Sequence, residues 1–264
     1  MHITITGNLG SGKSTICKLL NEKYQFEIYS TGKVQRELAR QMNMTTLELN
    51  QLMRSDHKYD NMIDDATARI SRENKDKNII FDSRLAWHFV EQSFKVFVSV
   101  DLEVAAKRVM LDTRGVEESY RSLEEAVKLL AERANTEKIR YKEIYNLNYM
   151  DYSNYNLVID STYCTPEQIA ETIIIKAREY EEKGCPETNY RLLSPKSLVS
   201  EDDIKDEDKS NLKELISKFK KMDYMIPHEI IVEKRDNQFV VLEGLNEAKA
   251  ALLAGVPLVP IVEK

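Results

Sequence analysis

"GNLGSGKST", residues 7–15, follows directly on the apolar run "HITIT", residues 2–6. The stretch fits the spacing G-x-x-x-x-G-K-S, with Gly7, Gly12, Lys13 and Ser14 at the fixed positions. Glycine allows backbone torsions and close approaches that a Cβ would block, so successive N–H groups can turn inward on an anion. The helix expected from Lys13 onward, "KSTICKLLNEKY", adds the partial positive charge of its N-terminus. Lys13 can then reach the β and γ phosphates of a nucleotide, and the Ser14 hydroxyl is placed to ligate Mg²⁺. A turn that binds nothing is the alternative, but a β-branched strand before the loop and a helix after it are the context this spacing needs. The residues expected to hold ATP are Gly7, Leu9, Gly10, Ser11, Gly12, Lys13, Ser14 and Thr15.

Outward from the loop, strand candidates "HITIT", "FEIYS", "NIIF", "KVFVSV" and "NLVID" alternate with helical stretches. Such a βαβ rhythm predicts an α/β fold of the P-loop NTPase type, a parallel sheet with helices on both faces. The helices expected include "KVQRELARQM", residues 56–74, "EVAAKRVML", residues 122–149 and "TPEQIAETIIIKAREYEEK". The last has Thr165 as N-cap, Pro166 at the first helical position and Gly184 just past its end, and it closes a first domain over residues 1–183.

Character changes after that. "GCPETNYRLLSP" and the acidic run "EDDIKDED", residues 201–208, read as linker or solvated approach to a helix. A small α+β domain is expected beyond it, so residues 184–264 hold linker and second domain. It has a helix over 210–222, strands over 229–235 and 238–244 joined by a turn at Asp236 and Asn237, a helix ended by Gly255 and Pro257, and a last strand.

The chain has 264 residues, 42% apolar, with a net charge of −6, which fits one or two globular domains. An acidic balance argues against duplex DNA as partner, because phosphate neutralisation needs clustered Lys and Arg. Cys17, Cys164 and Cys185 have no metal-ligand spacing and are odd in number. The first residues lack a basic segment and apolar core of the signal type, and no apolar run reaches membrane-spanning length, so the expected address is the cytoplasm.

A second substrate is expected at the carboxyl ends of the strands. After "FEIYS" come Thr31, Gly32 and Arg36, which can hydrogen-bond, admit and fork onto a ligand phosphate. After "NIIF" come Asp82, where an acid can order Mg²⁺, and Arg84, which projects into the same cleft. Arg133 and Arg140 share a helix face about 10 Å apart, and Arg114 in "DTRG" lies on the approach to that helix. Guanidiniums so arranged suit phosphoryl transfer, whose transition state spreads negative charge. Each has an alternative. Thr31 and Asp82 can cap helices, Arg133 and Arg140 bracket Glu137 as on a salt-bridged face, and Trp87 and Tyr141 read as packing residues.

At these residues the first 180 or so positions resemble a nucleoside monophosphate kinase. "STGKVQREL" is similar to the acceptor-binding segment of adenylate and cytidylate kinases. "YSTGKVQRELARQMNMTTLELN", "IIFDSRLAW" and "RANTEKIRYKEIYNLNYMDYSNYNLVIDST" follow the order and spacing of archaeal-type cytidylate kinases. The resemblance implies ATP with Mg²⁺ as donor and CMP or dCMP as acceptor. It implies Lys13 on the donor phosphates, Arg36 and Arg84 on the acceptor side, Arg133 and Arg140 across the transferring group, and Asp64 near the acceptor nucleoside. One departure is Ala134, where relatives often carry an acid. The carboxy-terminal part, through "VVLEGLNEAKAALLAGVPLVPIVEK", resembles the ParB and sulfiredoxin-like module, with Asn246 and Glu247 where active members carry basic residues and Glu243 in place of an aspartate. A carboxylate there repels phosphates, which points to a regulatory, docking or self-association role. Two further readings stay open: a nucleotide-gated interaction protein with the carboxy-terminal domain as output, and a kinase for a small non-nucleotide metabolite.

Overall fold

In the computed structural model the described residues are 1–44, 48–49, 52–53, 58–111, 120–222, 225–236 and 238–264. β1 (His2–Gly7) is buried along its whole length. It can be, because β3 (Ile79–Asp82) and β4 (Phe94–Ser99) flank it in parallel and helices cover both faces. β2 (Glu27–Ser30) pairs outside β3, and β5 (Leu157–Asp160) pairs outside β4, all parallel. The order β2-β3-β1-β4-β5 sends the chain to opposite sides of β1, which opens a crevice at its carboxyl end.

One face of the sheet packs Ile3, Ile5, Val96, Val98 and Ile159 against α1 (Lys13–Tyr24) and α7 (Pro166–Glu182). Thr165 caps α7 in a reciprocal box with Gln168, with Pro166 in the first turn, as the sequence implies. The other face carries Phe97, Val158, Trp87, Tyr141, Tyr149 and Tyr155, contributed partly by α4 (Ala86–Phe89) and α6 (Leu123–Tyr145). Trp87 and Tyr141 are 5% and 8% exposed and pack there. α2 (Thr31–Gln41) and α3 (Lys58–Glu73) share a small core of Ala39, Leu49, Met53 and Ile63. α5 (Leu102–Leu111) lies on α6 through Ala105, Ala106, Ala126 and Leu130.

The stretch expected to be linker contains a strand. β6 (Tyr190–Leu193) pairs in parallel with β5, and Leu192 and Leu193 are buried. The sheet then continues through β9 (Val259–Glu263), β7 (Ile230–Arg235) and β8 (Gln238–Glu243), giving nine strands among the described residues. β9 is antiparallel to β6, and an Arg191–Glu263 ion pair joins the two. The acidic run forms a 3₁₀ turn over 201–203 and enters α8 (Asp206–Asn211). The single helix expected over 210–222 is instead the end of α8 followed by α9 (Lys213–Phe219). α10 (Leu245–Ala254) runs between Gly244 and Gly255, both left-handed, and shares a core with Phe219, Ile230 and Val259. Leu258, from the connection between α10 and β9, is fully buried in the core of the first five strands.

Candidate active site

The phosphate loop is built against β4 and α5. Asn8 N–H donates to the Val98 carbonyl at 3.0 Å, and the Ser11 hydroxyl donates back to the Asn8 carbonyl at 2.8 Å. At Gly10, φ is +73° and an added Cβ would stand 2.7 Å from the Ala105 carbonyl oxygen, so both torsion and space require glycine. Gly12, φ +84°, is the N-cap of α1 and faces open space. Lys13 curls over the loop and donates from Nζ to the Asn8 carbonyl at 2.9 Å and the Gly7 carbonyl at 3.2 Å. Burial, then the nearby Arg84 charge, lowers its ammonium from 10.5 to about 7, against the opposing pull of Asp82 and Glu137.

The tips of β2 and β3 meet beside the loop. Ser30 and Asp82 are register partners, and the Ser30 hydroxyl donates to the Asp82 carboxylate at 3.2 Å. Thr31 begins α2 with its hydroxyl 3.5 Å from the Asp82 carbonyl, and Gly32 follows in the same turn. Arg84, from the loop after β3, donates from Nη1 to the Gly7 carbonyl at 2.6 Å and from Nε to Glu137 at 2.8 Å. Glu137 accepts on its other oxygen from Arg133 at 3.4 Å. Burial works against both charges of the inner pair. Even so, the carboxylate raises the Arg84 pKa, and Arg84 with Arg133 lowers that of Glu137. The Tyr149 ring lies 5.9 Å from the Arg84 guanidinium, and burial with Glu137 nearby pushes its phenol up to about 12.

Lys13, Asp82, Arg84 and Arg133 thus gather around one end of the sheet. Arg140 lies over its neighbour Tyr141, 5.0 Å from the ring centre, and donates to the Tyr141 hydroxyl at 3.4 Å. Asp64, on α3, accepts a 2.5 Å hydrogen bond from Tyr145 near the end of α6. The backbone of Arg36 lies in α2, and Arg114 falls outside the described residues.

Behind the loop is a cleft of about 440 Å³, walled by Gly12, Thr15, Arg108, Leu111, Ser161 and Cys164 among others. Sequence reasoning did not single out Arg108 or Ser161. Arg108 donates to the Ser161 hydroxyl at 3.1 Å, the Ser161 carbonyl at 2.7 Å and the Thr162 carbonyl at 3.4 Å. Ser161 in turn donates to the Ser11 carbonyl at 3.1 Å, which ties the loop after β5 to the phosphate loop. The strand-end argument applied to β2 and β3 could have found Ser161, which lies just past β5. Cys164 donates from Sγ to the Pro257 carbonyl at 3.5 Å, so the carboxy-terminal part touches this wall. In that part, Asn246 and Glu247 open α10, and Glu243 pairs with Lys264 at 3.5 Å. Among the described residues no group of three or more His, Cys, Asp or Glu could hold a metal, and no helix is long and apolar enough to cross a membrane.

Comparison with known proteins places this geometry among relatives. The sequence profile of the "Cytidylate kinase-like family" matches residues 2–163. The chain is 38% identical over 162 residues to a cytidylate kinase of Methanococcoides burtonii, covering 61% of this chain and 88% of that protein. It is 36% identical over 166 residues to a cytidylate kinase of Methanosarcina mazei, covering 61% and 87%. It is also 30% identical over 198 residues to a protein of Lacinutrix mariniflava named S-adenosylmethionine-dependent nucleotide dehydratase, covering 73% of this chain but 39% of that protein. Among solved structures, an uncharacterized protein from Eubacterium ventriosum superposes with a TM-score of 0.50 at 18% identity, over 67% of this chain and 98% of that one, a likeness of fold alone.

Proposed function

The chain belongs to the cytidylate kinase-like family, and from that membership and the site we propose that it transfers the γ-phosphoryl group of ATP to a nucleoside monophosphate, with CMP or dCMP as acceptor. The observation that carries this is the meeting of Lys13 and Arg84 on the Gly7 carbonyl. A donor-side cation and an acceptor-side cation converge on one point of the phosphate loop. In-line transfer needs this, because the two nucleotides must bring their phosphates together while positive groups neutralise the charge spread over the transferring oxygens.

In this reading the loop N–H groups and Lys13 hold the donor phosphates, and the cleft lined by Arg108 and Ser161 receives the rest of the donor nucleotide, its volume being suited to a group of that size. Arg36 and Arg84 hold the acceptor phosphate, Thr31 and Gly32 admit it, and Asp64 lies beside the acceptor nucleoside. Arg133, Arg140 and Arg114 close over the transferring group and exclude water, which would otherwise take the phosphate. Ser14 and Asp82 would hold Mg²⁺. A hydroxyl and a carboxylate fit an ion that completes its shell with phosphate oxygens and water, and when bound it neutralises and orients the donor phosphates.

The match to the Lacinutrix mariniflava protein extends over more residues than the family profile does, yet it covers 39% of that protein, and we assign no dehydratase activity to this chain. For residues 184–264 we propose a regulatory or docking role on a scaffold similar to the ParB and sulfiredoxin module, and a cytoplasmic address for the whole protein. The test of the main proposal is coupled ADP release with each common monophosphate. Stimulation by CMP or dCMP is expected; no stimulation by any monophosphate above the rate with ATP alone would remove the kinase reading.

A further inference from the structure

The cations assembled for phosphate already have internal acceptors. Lys13 rests on two loop carbonyls, Arg84 forks between the Gly7 carbonyl and one oxygen of Glu137, and Arg133 reaches the other oxygen at 3.4 Å. Glu137 therefore spans two guanidiniums from separate elements, one oxygen to each, as a phosphate would. This is not a solvated surface pair. Arg84 and Glu137 keep only 17% and 19% of their side-chain surface exposed, and the pair lies against the loop that holds the donor phosphates.

We propose that Glu137 occupies the place of the acceptor's phosphate in the nucleotide-free protein, holding Arg84 and Arg133 together beside the phosphate loop, and that the arriving phosphate displaces it, taking over Arg84 and freeing Arg133 for the transferring group. The inference rests on the kinase reading of the same site. The physical reason is charge balance. Arg84 and Lys13 both donate to the Gly7 carbonyl, at 2.6 and 3.2 Å, so without a carboxylate two cations would face each other there uncompensated. An entering phosphate supplies the same neutralisation and displaces the carboxylate. Glu137 acts through Arg84 and Arg133, so it is a positioning residue. It sets a threshold that a free inorganic anion does not pass and that an acceptor nucleotide, with further contacts of its own, does.

The test measures inorganic phosphate binding to the nucleotide-free, full-length protein by calorimetry, with thermal unfolding in parallel. In Glu137→Gln the competing charge is gone. Phosphate should then bind about tenfold more tightly than in the unaltered protein, the worth of a charge-assisted hydrogen bond, and should raise the unfolding temperature by more. A residue that merely supports the fold would give unchanged or weaker binding on substitution, and that result overturns the proposal. Where Glu137→Gln does not fold, Glu137→Asp carries the test. Its shorter side chain cannot span both guanidiniums, so tighter phosphate binding is expected, and unchanged or weaker binding again overturns the proposal. The readout involves no turnover. Loss of the kinase reading would show as absence of acceptor-stimulated ADP release in the unaltered protein, a separate result.

Discussion

Arg84 Nη1 lies 2.6 Å from the carbonyl oxygen of Gly7, the first glycine of the phosphate loop, although 77 residues separate them. The tip of β3 is thereby tied to the end of β1, and a guanidinium is fixed beside the phosphate loop, where the proposed donor and acceptor sites would meet.

Replacing Arg84 should therefore affect transfer more than donor binding. Arg84→Lys keeps the charge but cannot fork between Gly7 and Glu137. We expect kcat to fall by about two orders of magnitude, as for loss of one oriented transition-state donor, with ATP affinity nearly unchanged. Arg36→Ala should raise the acceptor KM while leaving ATP affinity unchanged. Steady-state kinetics and nucleotide titration separate these effects. Equal loss of donor binding in Arg36→Ala and Lys13→Ala would contradict the division of roles.

Lys13 gives the site a pH dependence. Burial and Arg84 bring its ammonium from 10.5 to about 7 in the folded protein. Between those values the unfolded chain binds more protons than the folded one, so stability due to this group rises with pH. Its cost is full below about pH 7 and gone above 10.5. Donor binding has the opposite sign, because a triphosphate selects the charged form. ATP affinity should fall as pH rises above about 7, with proton uptake on binding. Calorimetry at alkaline pH in two buffers of different ionisation heat detects that proton. Lys13→Arg should abolish the uptake, and its absence in the unaltered protein would contradict the assignment.

The two glycines inside the loop should fail in different ways. Gly10→Ala meets left-handed strain and the Ala105 backbone together. It should cost about 2 kcal/mol or more in urea unfolding, since strain and overpacking each contribute about 1–2 kcal/mol or more. Gly12→Ala meets strain alone, about 1 kcal/mol, since nothing lies within 4 Å of the added methyl group, but Gly12 forms part of the cleft wall. Its main defect should be weaker ATP binding. Equal destabilisation by the two substitutions would contradict the geometry of the loop.

What could be read from residues alone followed how local the signal was. The loop was legible because the spacing of Gly7, Gly12, Lys13 and Ser14 between a strand and a helix is a local signal, and the position of Asp82 because the apolar strand run ends there. β6 was not, because four residues between Pro186 and Pro195 carry no periodicity, and burial of Leu192 depends on pairing with β5 and β9. Spacing on α6 exposes the Arg133–Glu137 pair, four residues apart, but not the partner that gives Glu137 its meaning. Arg84 is 53 residues away, and only the fold joins them. The Asp64–Tyr145 bond, across 81 residues, escaped for the same reason.

The continuous sheet makes a further expectation for stability. Leu258 is fully buried among Ile3, Val98 and Ile159, though it belongs to the carboxy-terminal part of the chain. Leu258→Ala should cost about 2–5 kcal/mol. In the unaltered protein, fluorescence of the single tryptophan, Trp87, and far-ultraviolet circular dichroism should report one coincident unfolding transition. Two separated transitions would show that residues 184–264 fold apart from the first five strands.

The central claim is transfer between two nucleotides, and following the γ-phosphorus of labelled ATP tests it most directly. With Mg²⁺ and CMP present, the label should appear in the β position of CDP, with one ADP formed for each CDP. Label confined to inorganic phosphate, or ADP formation indifferent to the acceptor, would contradict the account.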